Sequence, residues 1–304
     1  MQGSKIAVIG IGAIGGSIAA DLADLKRHEL SLCSRTPFES LEVTHPGGTS
    51  ITKGSMIDDP KRAQPADWIL LATKAHQSES ARPWLDALSH SASVVVVLQN
   101  GVDHQARIDP LVGNGVEVLP CVVGLPAEKI APGKIKQMHN GGLTVPSGAT
   151  GDAFAALFEG SRTNITVSEE FITQAYWKLL NNAALGGVCA LALRENGVAS
   201  DPEVRELVLS AMAEVMAVGR AEGADLPDDA PERALRLMLN AVPNHWSSIT
   251  VDRREGRAIE WEARNAVVGK LGRRHGIATP INDVFTTLLR AADERLGDDS
   301  RDWD

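Results

Sequence analysis

"IAVIGIGAIGGSIAADL" (residues 6–22) decides how the first part of the chain folds. Residues 5–10, KIAVIG, form a short β-branched run that ends in glycine, the pattern of a strand buried on both faces. From residue 13 to 25, Ile14, Ile18, Leu22 and Leu25 then recur at helical spacing. An apolar run after Lys5 also imitates a secretion signal. Against that, Gly10, Gly12, Gly15 and Gly16 weaken an apolar helix, and Asp21 and Asp24 follow directly. The stretch reads as strand, glycine turn, helix.

Outward from it, further strands are readable at 29–35 (ELSLCSR), 68–73 (WILLAT), 93–100 (SVVVVLQN) and 116–123 (VEVLPCVV), with a helical pattern around 76–89. Strands alternating with helices predict a largely parallel sheet. The glycine- and proline-rich passage from Gly124 onward adds antiparallel edge strands. After NITVSE (164–169) the pattern turns helical, rich in Leu, Ala, Val and Met. A length of 304 residues suits two domains. The division expected is an α/β, Rossmann-type dinucleotide-binding domain over 1–168 and an all-α domain over 169–304. The clearest helix is SDPEVRELVLSAMAEVMAVGRAEG (200–223), with Ser200 as its cap and Pro202 in its first turn. The acidic tail GDDSRDWD (297–304) is expected to fray.

Hydrophobic residues make up 43% of the chain and charged ones 23%, as in a globular protein rather than a disordered one. The net charge of -9 leaves no broad basic field, which argues against nucleic acid or anionic lipid as a partner. An anionic ligand must be held by a few local cations. Cys33, Cys121 and Cys189 are odd in number and far apart, without C-x-x-C spacing, so they read as buried, reduced thiols. That suits a cytoplasmic location. No window is apolar for long enough to span a membrane, and no His/Asp/Glu cluster has metal-ligand spacing.

Gly10, Gly12 and Gly15 satisfy G-x-G-x-x-G, in the strand-to-helix context that the motif requires. The helix opening at Ala13 and Ile14 offers unpaired N–H groups to phosphates. At the end of the second strand, NAD-binding chains carry an Asp or Glu for the ribose hydroxyl, whereas this chain has CSRTP. Arg35, beside Ser34, can pair with a 2′-phosphate instead, which points to NADP.

Two further signals follow strands, where an open α/β sheet collects its ligand contacts: Lys74 in LLATKAHQ and Asn100 in VVVVLQNGVD. A solvated lysine and an Asn-Gly turn would look the same. In the helical half, AYWKLLNNAALGG sets Lys178 and Asn182 four residues apart, on one face. Lys178 either snorkels to water or donates a proton in the cleft between domains. Near the end, Ser248 and Asp252 share a helical face and Gly256 breaks the pattern. Glu260 falls in the first turn of the next helix, where the dipole favours a carboxylate. His275, before Gly276 and Pro280, marks a helix end.

Taken in order, GIGAIGG, TKAHQ, LQNG, WKLLNNAAL, SSITVD, the glutamate of IEWE and HGIATP resemble the ketopantoate reductase (2-dehydropantoate 2-reductase) family, over most of the chain. The resemblance implies a two-domain enzyme that uses NADPH to reduce a 2-oxo acid to a 2-hydroxy acid. The foremost candidate is 2-dehydropantoate to D-pantoate in pantothenate biosynthesis. By position it implies that Lys178 is the general acid and that Glu260 fixes cofactor and substrate. Asn182, Asn196 and Ser248 would hold the substrate, with Lys74 and Asn100 beside cofactor and substrate. Gly186, Glu262 and Ala266 depart from the family pattern, and Trp246 adds bulk near SSITVD. A reductase of another 2-oxo acid, a hydroxyacid dehydrogenase with a catalytic lysine, and a non-catalytic NADPH sensor remain open. Apolar helical surface in the second domain permits a homodimer.

Overall fold

The computed structural model describes residues 3–53 and 55–294, so the acidic tail 297–304 lies outside the described residues. The chain forms two compact units. Among the described residues, one runs up to Gln99 and includes Asp103–Phe171; the other comprises Asn100–Val102 and residues 172–294.

In the first unit the elements follow as β1 (Lys5–Ile9), α1 (Ala13–Asp24), β2 (Glu29–Cys33), β3 (Leu41–His45), β4 (Gly48–Thr52), β5 (Ser55–Ile57), β6 (Trp68–Leu71), α2 (Arg82–Leu88) and β7 (Val94–Val97). After them come α3 (His104–Ile108), β8 (Glu117–Pro120), β9 (Val122–Gly124), β10 (Ala127–Ala131), β11 (Lys134–Gln137), β12 (Gly142–Pro146), α4 (Ala149–Leu157) and β13 (Asn164–Ser168). Six strands pair in the order β5-β2-β1-β6-β7-β8, all parallel. Side chains of a strand point alternately to the two faces. Accordingly Ile6 and Val8 enter one core, with Ile18 and Leu22 of α1, while Ala7 and Ile9 enter another, with Trp84, Leu85 and Leu88 of α2. Burial on both faces is why KIAVI reads as a continuous apolar run.

The stretch 116–123, read as one strand, is two. Pro120 has no N–H with which to extend the ladder, and the chain leaves the six-stranded sheet there; β9 joins β12 and β13 in a separate three-stranded sheet. The glycine-rich passage does form an antiparallel hairpin, β10–β11. It extends a four-stranded sheet, β10-β11-β3-β4, whose β3–β4 hairpin the sequence reading passed over. Its signal was present: Pro46-Gly47-Gly48 between residues of β character.

The second unit contains α5 (Phe171–Leu180), which begins at the last residue of the first, then α6 (Gly186–Ala192), α7 (Pro202–Ala221), α8 (Ala230–Ala241), α9 (Ser248–Arg254), α10 (Val267–His275) and α11 (Pro280–Glu294). Among the described residues from Ile172 onward there is no strand. Tyr176, Leu180, Met212, Val215, Leu235, Val268 and Leu289 belong to one apolar core. The cap of α7 is Asp201 rather than Ser200: its carboxylate accepts from the N–H groups of Glu203 and Val204 at 3.0 and 3.2 Å. Asp201 is the extended residue directly before Pro202, the position from which a side chain reaches those N–H groups, whereas Ser200 ends the preceding 3₁₀ turn. Glu214, from within α7, likewise accepts from the backbone N–H groups of Ile281 and Asn282 at the start of α11, both at 2.9 Å.

Candidate active site

The sheet order reverses between β1 and β6, and the glycine turn sits at that switch point, where open α/β sheets bind ligands. Each glycine answers to a different constraint. Gly10 turns the chain at φ +91°, and a Cβ on it would fall 2.9 Å from the backbone N of Thr73, after β6. A Cβ on Gly15 would lie 2.1 Å from the Gly10 carbonyl oxygen, so only glycine lets α1 approach the strand. Gly12 is different: a Cβ there would meet nothing within 4 Å, which leaves a bare backbone face open to a ligand. The helix behind it, opening at Ala13 and Ile14, has no side-chain cap and no acidic residue in its first turn. An open backbone face at an uncapped helix N-terminus fits the pyrophosphate of a dinucleotide.

At the end of β2, the Ser34 N–H donates to the Ile57 carbonyl and its hydroxyl to the Thr36 carbonyl, at 3.0 and 3.1 Å. This turn presents Arg35 on the surface, with no carboxylate in the CSRTP segment. After β6, the backbone N–H of Lys74 donates to Gln77 Oε1 at 3.1 Å, and its side chain is half-buried. Gln99 is buried after β7 and donates to Thr73 Oγ1 at 3.0 Å, tying the two strand ends.

In the second unit the polar groups gather around Glu260, 3% exposed. Asn100 Nδ2 donates to Glu260 Oε2 at 2.9 Å, with Gly101 at φ +108° allowing the turn that follows. Glu260 does not lie within a helical turn, as the sequence suggested, but immediately before a helix that starts at Trp261. Asp293 clamps it on both sides, accepting from the Ile259 N–H at 3.0 Å and from Trp261 Nε1 at 3.1 Å. A buried carboxylate needs hydrogen-bond donors, and Asn100 supplies one.

Two π turns shape this region: Asn181–Leu185 after α5 and Glu262–Ala266 before α10. Single π turns inside helices widen the coil by one residue and occur often at functional sites. Lys178 lies in the last turn of α5 and Asn182 within the first π turn, both half-buried. Asn265, from the second π turn, donates to the Ala183 carbonyl in the first at 2.8 Å. Arg264, also in the second, is 2% exposed and donates to Ser248 Oγ at 2.7 Å.

The structure therefore joins Asn100 with Glu260, and Ser248 to them through Arg264. Asn196 is placed differently: its amide donates to the Val242 carbonyl at 3.1 Å and its backbone N–H to the His245 carbonyl at 3.0 Å, so it fastens the segment before Ser248. Asp252 accepts from Arg257 Nε at 3.0 Å, and Trp246 lies under the Arg254 guanidinium, 4.1 Å from its ring centre. His275 ends α10 and pairs with Glu222, and no cluster among the described residues has a metal-binding arrangement. Sequence reasoning missed Arg264, Asn265 and Asp293. A signal existed for the first two, since RN interrupts an otherwise apolar face in WEARNAVVGKL.

Comparison with known proteins agrees along the length of the chain. Residues 6–150 match the family described as ketopantoate reductase PanE/ApbA, and residues 170–293 its C-terminal part. A 2-dehydropantoate 2-reductase of Caulobacter vibrioides is 43% identical over 291 residues, covering 95% of this chain and 99% of that one. Among solved structures, a PanE/ApbA family ketopantoate reductase from Ralstonia eutropha JMP134 superposes with a TM-score of 0.87 at 28% identity, covering 96% and 99%. A ketopantoate reductase from Staphylococcus aureus, described as dimeric, gives 0.85 at 22%, covering 96% and 100%, and so shares the fold. The glycine turn, the parallel sheet and the helical half with its buried glutamate thus belong together, and this chain belongs to the ketopantoate reductase family.

Proposed function

We infer that the protein is an NADPH-dependent 2-dehydropantoate 2-reductase, which forms the 2-hydroxy acid used in pantothenate biosynthesis. The observation that carries this reading is the chain-long identity to the Caulobacter reductase. The pairing of Asn100 with the buried Glu260 and the glycine turn supply chemistry suited to the reaction. Residues 1–168 are proposed as the cofactor domain and 169–304 as the substrate domain. Gly10, Gly12, Ala13, Ile14 and Gly15 would hold the pyrophosphate, and Ser34 and Arg35 the 2′-phosphate, with Lys74 and Asn100 nearer the nicotinamide.

NADPH, when bound, supplies the hydride. The negative charge that develops on the carbonyl oxygen is met by the Lys178 ammonium, which stabilises it and delivers the proton. Glu260, held by Asn100, fixes the reactants in place. Asn182 and Ser248 hold the polar groups of the substrate, and Asn196 supports them by fastening the segment that leads to Ser248. No described helix is long and apolar enough to cross a membrane. The three cysteines are buried and form no disulfide, which supports a cytoplasmic location as part of the proposal. We further propose a homodimer, which light scattering on the purified protein would test.

The deciding experiment follows NADPH oxidation with 2-dehydropantoate beside a panel of 2-oxo acids, repeated with NADH. Fast, NADPH-selective turnover of 2-dehydropantoate is expected. Preferential turnover of another 2-oxo acid would move the substrate, and silence across the panel would end the reductase reading.

A further inference from the structure

Arg264 neither supplies the hydride nor delivers the proton, yet its environment is unusual. A guanidinium carries five N–H donors, accepts nothing and keeps its charge at any ordinary pH. This one is 2% exposed. One terminal nitrogen donates to Ser248 Oγ at 2.7 Å and stands 3.8 Å from Glu260 Oε2, the oxygen that also accepts from Asn100. The Nε–H is buried and has no hydrogen-bond partner among the described residues.

As packing alone this is a poor solution, because an apolar side chain of similar length would fill the space without desolvating a charge. Gly186 lies against the guanidinium: a Cβ there would stand 3.8 Å from its other terminal nitrogen, in ordinary contact.

The consequence for Ser248 is chemical. A hydroxyl can donate or accept, but one that accepts from a guanidinium must send its own hydrogen elsewhere. Ser248 is the first residue of α9 and is exposed, so that hydrogen is offered to the outside. A donor backed by a buried positive charge suits an oxygen that only accepts and is itself anionic, which is the description of a carboxylate. In a chain of net charge -9, a local cation of this kind is needed to hold one.

We propose that Arg264 is a positioning residue that holds the Ser248 hydroxyl as a hydrogen-bond donor to the substrate carboxylate, from its place between Ser248 and Glu260. The proposal rests on the reading of the protein as a 2-oxo acid reductase and adds to it the device that orients the acid.

The test compares wild type with Arg264→Met, Arg264→Lys, Ser248→Ala and the double variant Arg264→Met/Ser248→Ala, with circular dichroism as the check on folding. KM for the 2-oxo acid should rise roughly 10- to 100-fold in Arg264→Met, the range of a lost charge-assisted hydrogen bond. KM for NADPH, and NADPH affinity read from nucleotide fluorescence, should stay within about twofold of wild type. Arg264→Lys should recover part of the loss, and the double variant should be no worse than the poorer single variant. If the methionine variant does not fold, Arg264→Gln makes the same comparison, keeping a donor without the charge. An unchanged KM for the acid, equal losses toward acid and NADPH, or multiplying losses in the double variant would each overturn the proposal. In those cases wild-type turnover leaves the reductase reading intact. A wild type that neither turns over any 2-oxo acid nor gains thermal stability from a 2-hydroxy acid with NADP would overturn both.

Discussion

A single side chain, Lys178, bears the proton transfer proposed here, and its chemistry makes a plain demand: an ammonium must reach the oxygen that receives charge. Lys178→Ala should lower kcat by about 10²- to 10⁴-fold, the usual contribution of a positioned general acid, while NADPH still binds. Stopped-flow hydride transfer together with NADPH titration reads both. At this scale the sequence singles out residue types out of keeping with their neighbours, such as Lys178 between apolar residues or the glycines after a buried strand. It was silent on partnership. Nothing in the spacing of Asn100 and Glu260, 160 positions apart, announces the 2.9 Å bond between them. The signal of Arg264 and Asn265 was overlooked because a polar pair within a helical pattern reads as a solvated face, whereas both are buried within the π turn.

Among elements, helix ends show what local chemistry can decide. Asp201 satisfies two N–H groups of α7, so Asp201→Ala should cost about 1 kcal/mol and Ser200→Ala little. For a chain of this size, thermal unfolding of the two variants should then differ by roughly 2–4 °C. The sequence offered Ser-Asp-Pro, and only geometry separates two adjacent capping residues. The long periodic segments were legible because their apolar spacing is fixed by burial: β1, α1, β6, β7 and α7 lie where that spacing put them. The β3–β4 hairpin and the switch of sheets at Pro120 were not, since short half-exposed strands carry little periodicity and sheet membership depends on distant partners. Neither π turn leaves a mark in the sequence, because one extra residue in a helix is tolerated only where tertiary contacts such as Asn265 to Ala183 hold it.

For the whole molecule, cofactor binding should appear as stability. A ligand at 100 times its dissociation constant adds about 2.7 kcal/mol to the folded state. NADPH should therefore raise the unfolding temperature more than NADH at equal concentration, and Arg35→Ala should remove most of that difference; differential scanning fluorimetry is enough to see it. Another whole-molecule property lies in the three cysteines, all buried and outside any disulfide. Burial pushes the thiols of Cys33 and Cys189 up to about 12, far from the range in which a thiolate forms. A cysteine introduced on the surface would then be the one nucleophilic sulfur that a maleimide dye meets in the native protein. The enzyme can carry a single fluorophore, and report on its own motions, without any native cysteine being removed.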